Sequence, residues 1–149
     1  MVVKCPGSKN GNSFATVLAD TGLRPDECYR LRWEHVNWKN GSNGTLLVTH
    51  GKTAAARRML YLTPRVRFIL ETRWEYAGSP ADGWVWPAPT ESGHVNHASL
   101  KKQHARAFKN ANEEIATRTK TGEKKPSLLK PWVLYSFRHT FLTRLGESG

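Results

Sequence analysis

Three basic residues stand in contexts where a charged side chain could act on an anion. Arg24 lies in "TGLRPDE", where Pro25 followed by Asp26 and Glu27 has the composition of a first helical turn. A helix beginning near Arg24 sets its guanidinium beside free backbone amides, which suits phosphate; a solvated arginine at an ordinary helix start is the plainer alternative. Lys52 lies in "THGKTAAARR", at a bend between two expected strands. There it can reach into a groove, or protonate a leaving oxygen if its surroundings lower its pKa; otherwise it is simply solvated. The "GKT" is not a nucleotide loop, because the earlier glycine of that pattern is replaced by Leu46 and a strand follows where a helix is needed. Arg138 and His139 lie in "YSFRHTFLTRLGESG", on an expected helix with Leu134, Phe137, Phe141, Leu142 and Leu145 as its apolar positions. Such a helix should pack on the body of the domain and hold the pair in place. An arginine among aromatics needs an anion, and both an internal carboxylate and a bound phosphate meet that need.

His94, His97 and His104 have a spacing that could converge on a metal, but no Cys or HExxH pattern accompanies them. Neither a metal nor a cofactor is expected. Cys5 and Cys28 are too few for a disulfide framework and lack CxxC spacing.

The elements that must position these residues can be read from periodicity and turn signals. Residues 1–13 look like a loose leader, followed from Phe14 to about Trp33 by two helical pieces broken at "TGLRP". Three short antiparallel strands are expected near Val36 to Trp38, Thr45 to Thr49 and Met59 to Leu62, punctuated by "NG" turns. "PRVRFILETRWEYA" returns to helical periodicity behind Pro64, and "SPADGWVWPAP" is a loop around a short apolar piece. "NHASLKKQHARAFKNANEEIATR" is a further helix, joined by the basic connector "TKTGEKKPSLLKP" to the closing one. The expected fold is mainly α with a small three-stranded antiparallel sheet, an α+β arrangement in which the sheet is too small to be the core.

At 149 residues the chain has the length of one domain. No stretch approaches a membrane span or the apolar core of a signal peptide, so a cytoplasmic location is expected. A net charge of +11 favours a polyanionic partner, because neutralising phosphates releases condensed counterions. The basic residues are spread along the chain, which weakens a membrane-surface reading.

Taken in order, "LADTGLRPDECYRLRWEHV", "HGKTAAARRMLYL" and "YSFRHTFLTRLGESG" resemble the catalytic domain of the tyrosine recombinase (phage integrase) family, from about Phe14 onward. By this resemblance Arg24 is the first catalytic arginine and Glu27 the supporting acidic residue. Lys52 is the hairpin general acid, and Arg138, with His139 beside it, is the second arginine. The family's reaction cleaves and rejoins DNA strands through a 3'-phosphotyrosyl intermediate. The residue types suit it: paired guanidiniums can clamp nonbridging oxygens while a separate donor protonates the departing oxygen.

Two departures from the family pattern stand out. Tyr135 occupies the place of the usual box histidine; it is expected to hydrogen-bond the phosphate, with a nucleophilic role the alternative. Tyr29, Tyr61 and Tyr76 match no nucleophile position, and neither the "LGH"-like segment nor the N-terminal DNA-clamping domain is present, so the chain resembles a partial catalytic domain. The expectation is a domain of a mobile-element integrase of prokaryotic or phage origin, acting in DNA recombination and integration, that binds duplex DNA without cleaving it alone. In the full-length protein, self-association on DNA is expected. Two other readings stay open: a noncatalytic DNA-binding module or decayed integrase remnant, and an RNA-binding domain stacking bases on Trp33, Trp38, Trp84 and Trp86.

Overall fold

The computed structural model describes residues 10–51, 56–118, 128–130 and 132–148. Helix α1 (Asn10–Thr21) begins inside the stretch expected to be a loose leader. It places Phe14, Val17, Leu18 and Thr21 on one buried face, the i, i+3, i+4, i+7 spacing of an amphipathic helix. Gly22, with φ of +64°, turns the chain out of α1. Helix α2 (Pro25–Tyr29) starts at once behind the N-cap Arg24, with Pro25 in its first turn.

A 3-10 turn at Trp33–His35 leads into β1 (Val36–Asn37), β2 (Thr45–Val48) and β3 (Arg58–Tyr61). The three strands form an antiparallel sheet in the order β1-β2-β3, with Val36 opposite Leu46 and Val48 opposite Arg58. Leu46 and Val48 are buried, while Met59 and Tyr61 on β3 stand in solvent. Helix α3 (Pro64–Tyr76) is capped by Thr63, whose Oγ1 accepts the Val66 amide at 3.2 Å. Helix α4 (His97–Arg118) and helix α5 (Tyr135–Glu147) complete the fold. The strand and helix order matches the expected one, and the connector over 119–127 lies outside the described residues.

The core gathers around α1, which touches all four other helices. Phe14 stacks on Tyr29 and meets Trp86 edge-on, both at 5.3 Å between ring centroids. Around it lie Leu23, Cys28, Leu46, Val66, Leu70, Val85 and Leu100. The Cys28 thiol is free and buried, which pushes its pKa well up and makes it a small apolar side chain rather than a nucleophile. Trp33 and Trp86 are buried, Trp38 lies under the Arg67 guanidinium and Trp84 under that of Arg32. These four tryptophans are structural, contrary to the base-stacking reading.

Helix α5 departs from its expected packing. Phe137 and Leu134 pack on the core, but Leu142 and Leu145 are 47% and 58% exposed, and α5 has no fully buried residue. Its contact with the body is made by its first half. Trp132, just ahead of α5, meets His104 and Phe108 of α4 and Phe137 of α5 edge-on. The Asn112 side chain pins the segment before it, accepting the Leu129 amide at 2.9 Å and donating to its carbonyl at 3.3 Å. No helix among the described residues is long and apolar enough to cross a membrane.

Candidate active site

Chain ends far apart in sequence meet where the loop after α1 faces the start of α5. Gly22 makes this approach possible: a Cβ on it would lie 2.3 Å from Cδ1 of Phe141. With the ring of α5 so close, Arg138 reaches back and donates a hydrogen bond to the Gly22 carbonyl, two residues before Arg24. Tyr135, one turn earlier on α5, brings its hydroxyl near the Arg24 guanidinium. That hydroxyl, and then the Glu27 carboxylate, raise the pKa of the Arg24 guanidinium. The His139 ring lies edge-on to Tyr135 at 5.2 Å and is itself exposed. The Tyr135 hydroxyl thus lies near the Arg24 guanidinium, and Arg138 is bonded to the loop that leads into Arg24.

Glu27 fixes the Arg24 side of this cluster. Its Oε2 accepts the Arg24 amide at 2.9 Å, and its Oε1 lies 3.2 Å from Arg24 Nη1. The Arg24 backbone amide is therefore occupied by a carboxylate, and α2, at five residues, adds little dipole. Arg24 remains with 44% of its side chain exposed, so the anion-binding capacity of this position lies in the guanidinium.

A third arginine, unmarked in the sequence reading, completes the network. Arg58, at the start of β3, forks onto Glu27 with Nη2 at 2.9 Å from Oε2 and Nη1 at 3.1 Å from Oε1. Burial pushes the Glu27 carboxyl up, but hydrogen bonds from Arg58 and the Arg24 amide, with both guanidinium charges, outweigh it. The carboxyl is held below its ordinary value. The only sequence signal for Arg58 was its place in "AAARRM", where Arg57 has equal claim.

Lys52 lies outside the described residues. Its neighbour Gly51 is close to the network: a Cβ there would come 3.8 Å from Glu27 Oε1 and would collide with Ala56. Two histidines of the metal reading take aromatic partners, and His97 is exposed. His94 packs on Trp84, and His104 sits against Phe108 and Trp132. Among the described residues no three His, Cys, Asp or Glu side chains group as metal ligands.

A known family model, described as the phage integrase family, matches residues 4–149. The chain belongs to the phage integrase family. Two solved structures share its fold, both of the Tn1549 transposon integrase. The one in complex with transposon right end DNA has a TM-score of 0.61 at 18% identity, covering 96% of this chain and 49% of the other. The one in complex with circular intermediate DNA has a TM-score of 0.63 at 18% identity, covering 96% and 48%. This integrase-family chain thus spans about half the length of the structures it matches. No curated protein matches it. The family and fold named from the three motifs are those found, and residues 4–13 fall within the matched region.

Proposed function

We propose that this chain forms part of the catalytic domain of a site-specific DNA recombinase and holds a phosphodiester of duplex DNA against Arg24, Tyr135 and Arg138. What supports the reading is that the Tyr135 hydroxyl comes near Arg24 and that Arg138 is hydrogen-bonded to the loop leading into Arg24. In strand cleavage a tyrosine oxygen attacks phosphorus, and the bond to the 5' oxygen of the next deoxyribose breaks. Negative charge then builds on the two nonbridging oxygens, where guanidinium donors already in place stabilise it more than they stabilise the starting diester. Tyr135 offers a hydroxyl donor to the same oxygens. Lys52 supplies the proton that leaves with the 5' oxygen; in support, its neighbour Gly51 lies beside Glu27. Rejoining reverses these steps on another strand, so the energy of the broken bond is kept in the phosphotyrosyl link. Copies of the full-length protein self-associate on DNA to bring two sites together.

Among this chain's tyrosines, Tyr29 is unsuited to attack, because burial pushes its pKa up to about 12. Tyr135, near Arg24, takes the part of a phosphate ligand in this reading, so strand cleavage is assigned to a tyrosine other than these two. The test is binding to a labelled duplex at rising salt. The wild-type affinity should fall steeply, and Arg24→Ala and Arg138→Ala should each flatten the log–log slope by about 0.9, one phosphate contact apiece. Unchanged slopes in both variants refute the clamp. A nicked suicide substrate distinguishes the catalytic roles: a covalent adduct lost in Tyr135→Phe would make Tyr135 the nucleophile, against this reading.

A further inference from the structure

We infer that Arg58 is a positioning residue, neutralising Glu27 so that Arg24 keeps its outward donors free for a phosphate. The inference rests on the phosphate-clamp reading of Arg24 and assigns Arg58 no contact with DNA.

Glu27's side chain is 2% exposed, and a buried carboxylate needs both a counter-ion and filled lone pairs. Both oxygens are filled twice over: Oε1 by Arg24 Nη1 and Arg58 Nη1, Oε2 by the Arg24 amide and Arg58 Nη2. The two arginines do not share the task equally. Arg58 presents the parallel two-nitrogen fork that matches a carboxylate, is 29% exposed, and is anchored by a further bond from Nη1 to the Ala56 carbonyl at 3.0 Å. Arg24 presents one nitrogen at the longer distance of 3.2 Å and keeps 44% of its side chain exposed.

Removing the Arg58 fork changes what Arg24 must do. Glu27 would be left with one cation whose backbone it already holds through the Arg24 amide. Arg24 would then turn its own fork inward, because the alternative is a buried carboxylate with half its bonds unmade. Two guanidiniums around one carboxylate leave one positive charge in excess; one guanidinium leaves none. Arg24 would remain in the chain but be lost to the phosphate. Arg57 cannot substitute, because it is exposed and precedes the strand on which Arg58 points to Glu27.

The test combines Arg24→Ala, Arg58→Met and the double variant, with Arg58→Gln as a second uncharged form that can still hydrogen-bond Glu27. On a labelled duplex, each single variant should flatten the salt slope by about 0.9, and the double variant should lose no more than either alone. Arg58→Lys, which keeps the charge, should hold a slope near that of wild type while melting earlier. Additive losses would mean that Arg58 touches phosphate itself, and an unchanged slope with a lowered Tm would mean that it is merely structural; either overturns the inference. A second readout needs no DNA: slowed rotation about the Arg24 Cζ–Nη bonds by NMR in Arg58→Gln, reporting its capture by Glu27. If Arg24→Ala leaves DNA binding untouched, the clamp reading fails, and the rotation rate alone decides the role of Arg58, with no slowing counting against it.

Discussion

Replacing Gly22 with alanine should disturb the fold and the clamp together, and a second glycine separates the causes. Gly22 sits at φ +64°, where a Cβ costs about 1–2 kcal/mol. Its Cβ would also lie 2.3 Å and 2.6 Å from two ring carbons of Phe141, so the ring and α5 must give way. Overpacking of that kind costs about 1–3 kcal/mol, for a total of about 2–5 kcal/mol. At about 3 °C per kcal/mol for a chain of this length, Tm should fall by about 6–15 °C. Gly78 has a similar positive φ of 85° but nothing within 4 Å of an added Cβ. Gly78→Ala should therefore show the backbone cost alone, a fall of about 3–6 °C. Because Arg138 is bonded to the Gly22 carbonyl, Gly22→Ala should also weaken duplex binding, while Gly78→Ala should leave it unchanged. Thermal unfolding followed by circular dichroism, with a duplex titration, measures both. Pairing Gly22→Ala with Phe141→Ala should recover at least about 1 kcal/mol of the clash, as a double-mutant coupling. Equal melting of the two glycine variants, or no coupling to Phe141, would refute the close approach of α5 to this loop.

Two further outcomes concern pH. Glu27 is held below its ordinary value, so its contribution is fully present above about pH 4.5 and is lost as pH falls through its folded pKa. Glu27→Gln should lower stability at pH 7 by about 3 kcal/mol and make melting less sensitive to acid below pH 4.5; equal acid sensitivity in both proteins would contradict this. His104 has its pKa lowered by burial, and its Nε2 is buried with no hydrogen-bond partner. Protonation then favours the unfolded chain, and stability present above about pH 6.5 is lost as pH falls through the lowered folded value. In His104→Phe the difference in Tm between pH 7.5 and pH 5.5 should shrink, and an unchanged difference would contradict the burial argument.

The sequence carried the elements more fully than the contacts between them. Phe14, Val17 and Leu18 announce a helix face, and Thr63-Pro64 announces a helix start, because both signals are local. The family was legible through three motifs in a fixed order, which is information that periodicity lacks. Arg58 was not, because its meaning depends on a carboxylate 31 positions away. The packing of α5 was overestimated for a related reason. Periodicity identifies an apolar stripe, but which of Phe137, Leu142 and Leu145 is covered depends on where neighbouring elements lie. The bond from the Arg24 amide to Glu27 was not legible, because an N-cap amide is read as free until its partner is seen.

The bond from Arg138 to the Gly22 carbonyl spans 116 positions of chain. A contact of that separation closes only after the intervening chain has been made and folded, and its loop-closure entropy is met late. During synthesis at about 5–20 residues per second, the first arginine emerges several seconds before its partner. Until α5 docks, the nascent protein carries Arg24 without Arg138 beside its loop, so the proposed clamp would be withheld from the unfinished chain while it is still on the ribosome.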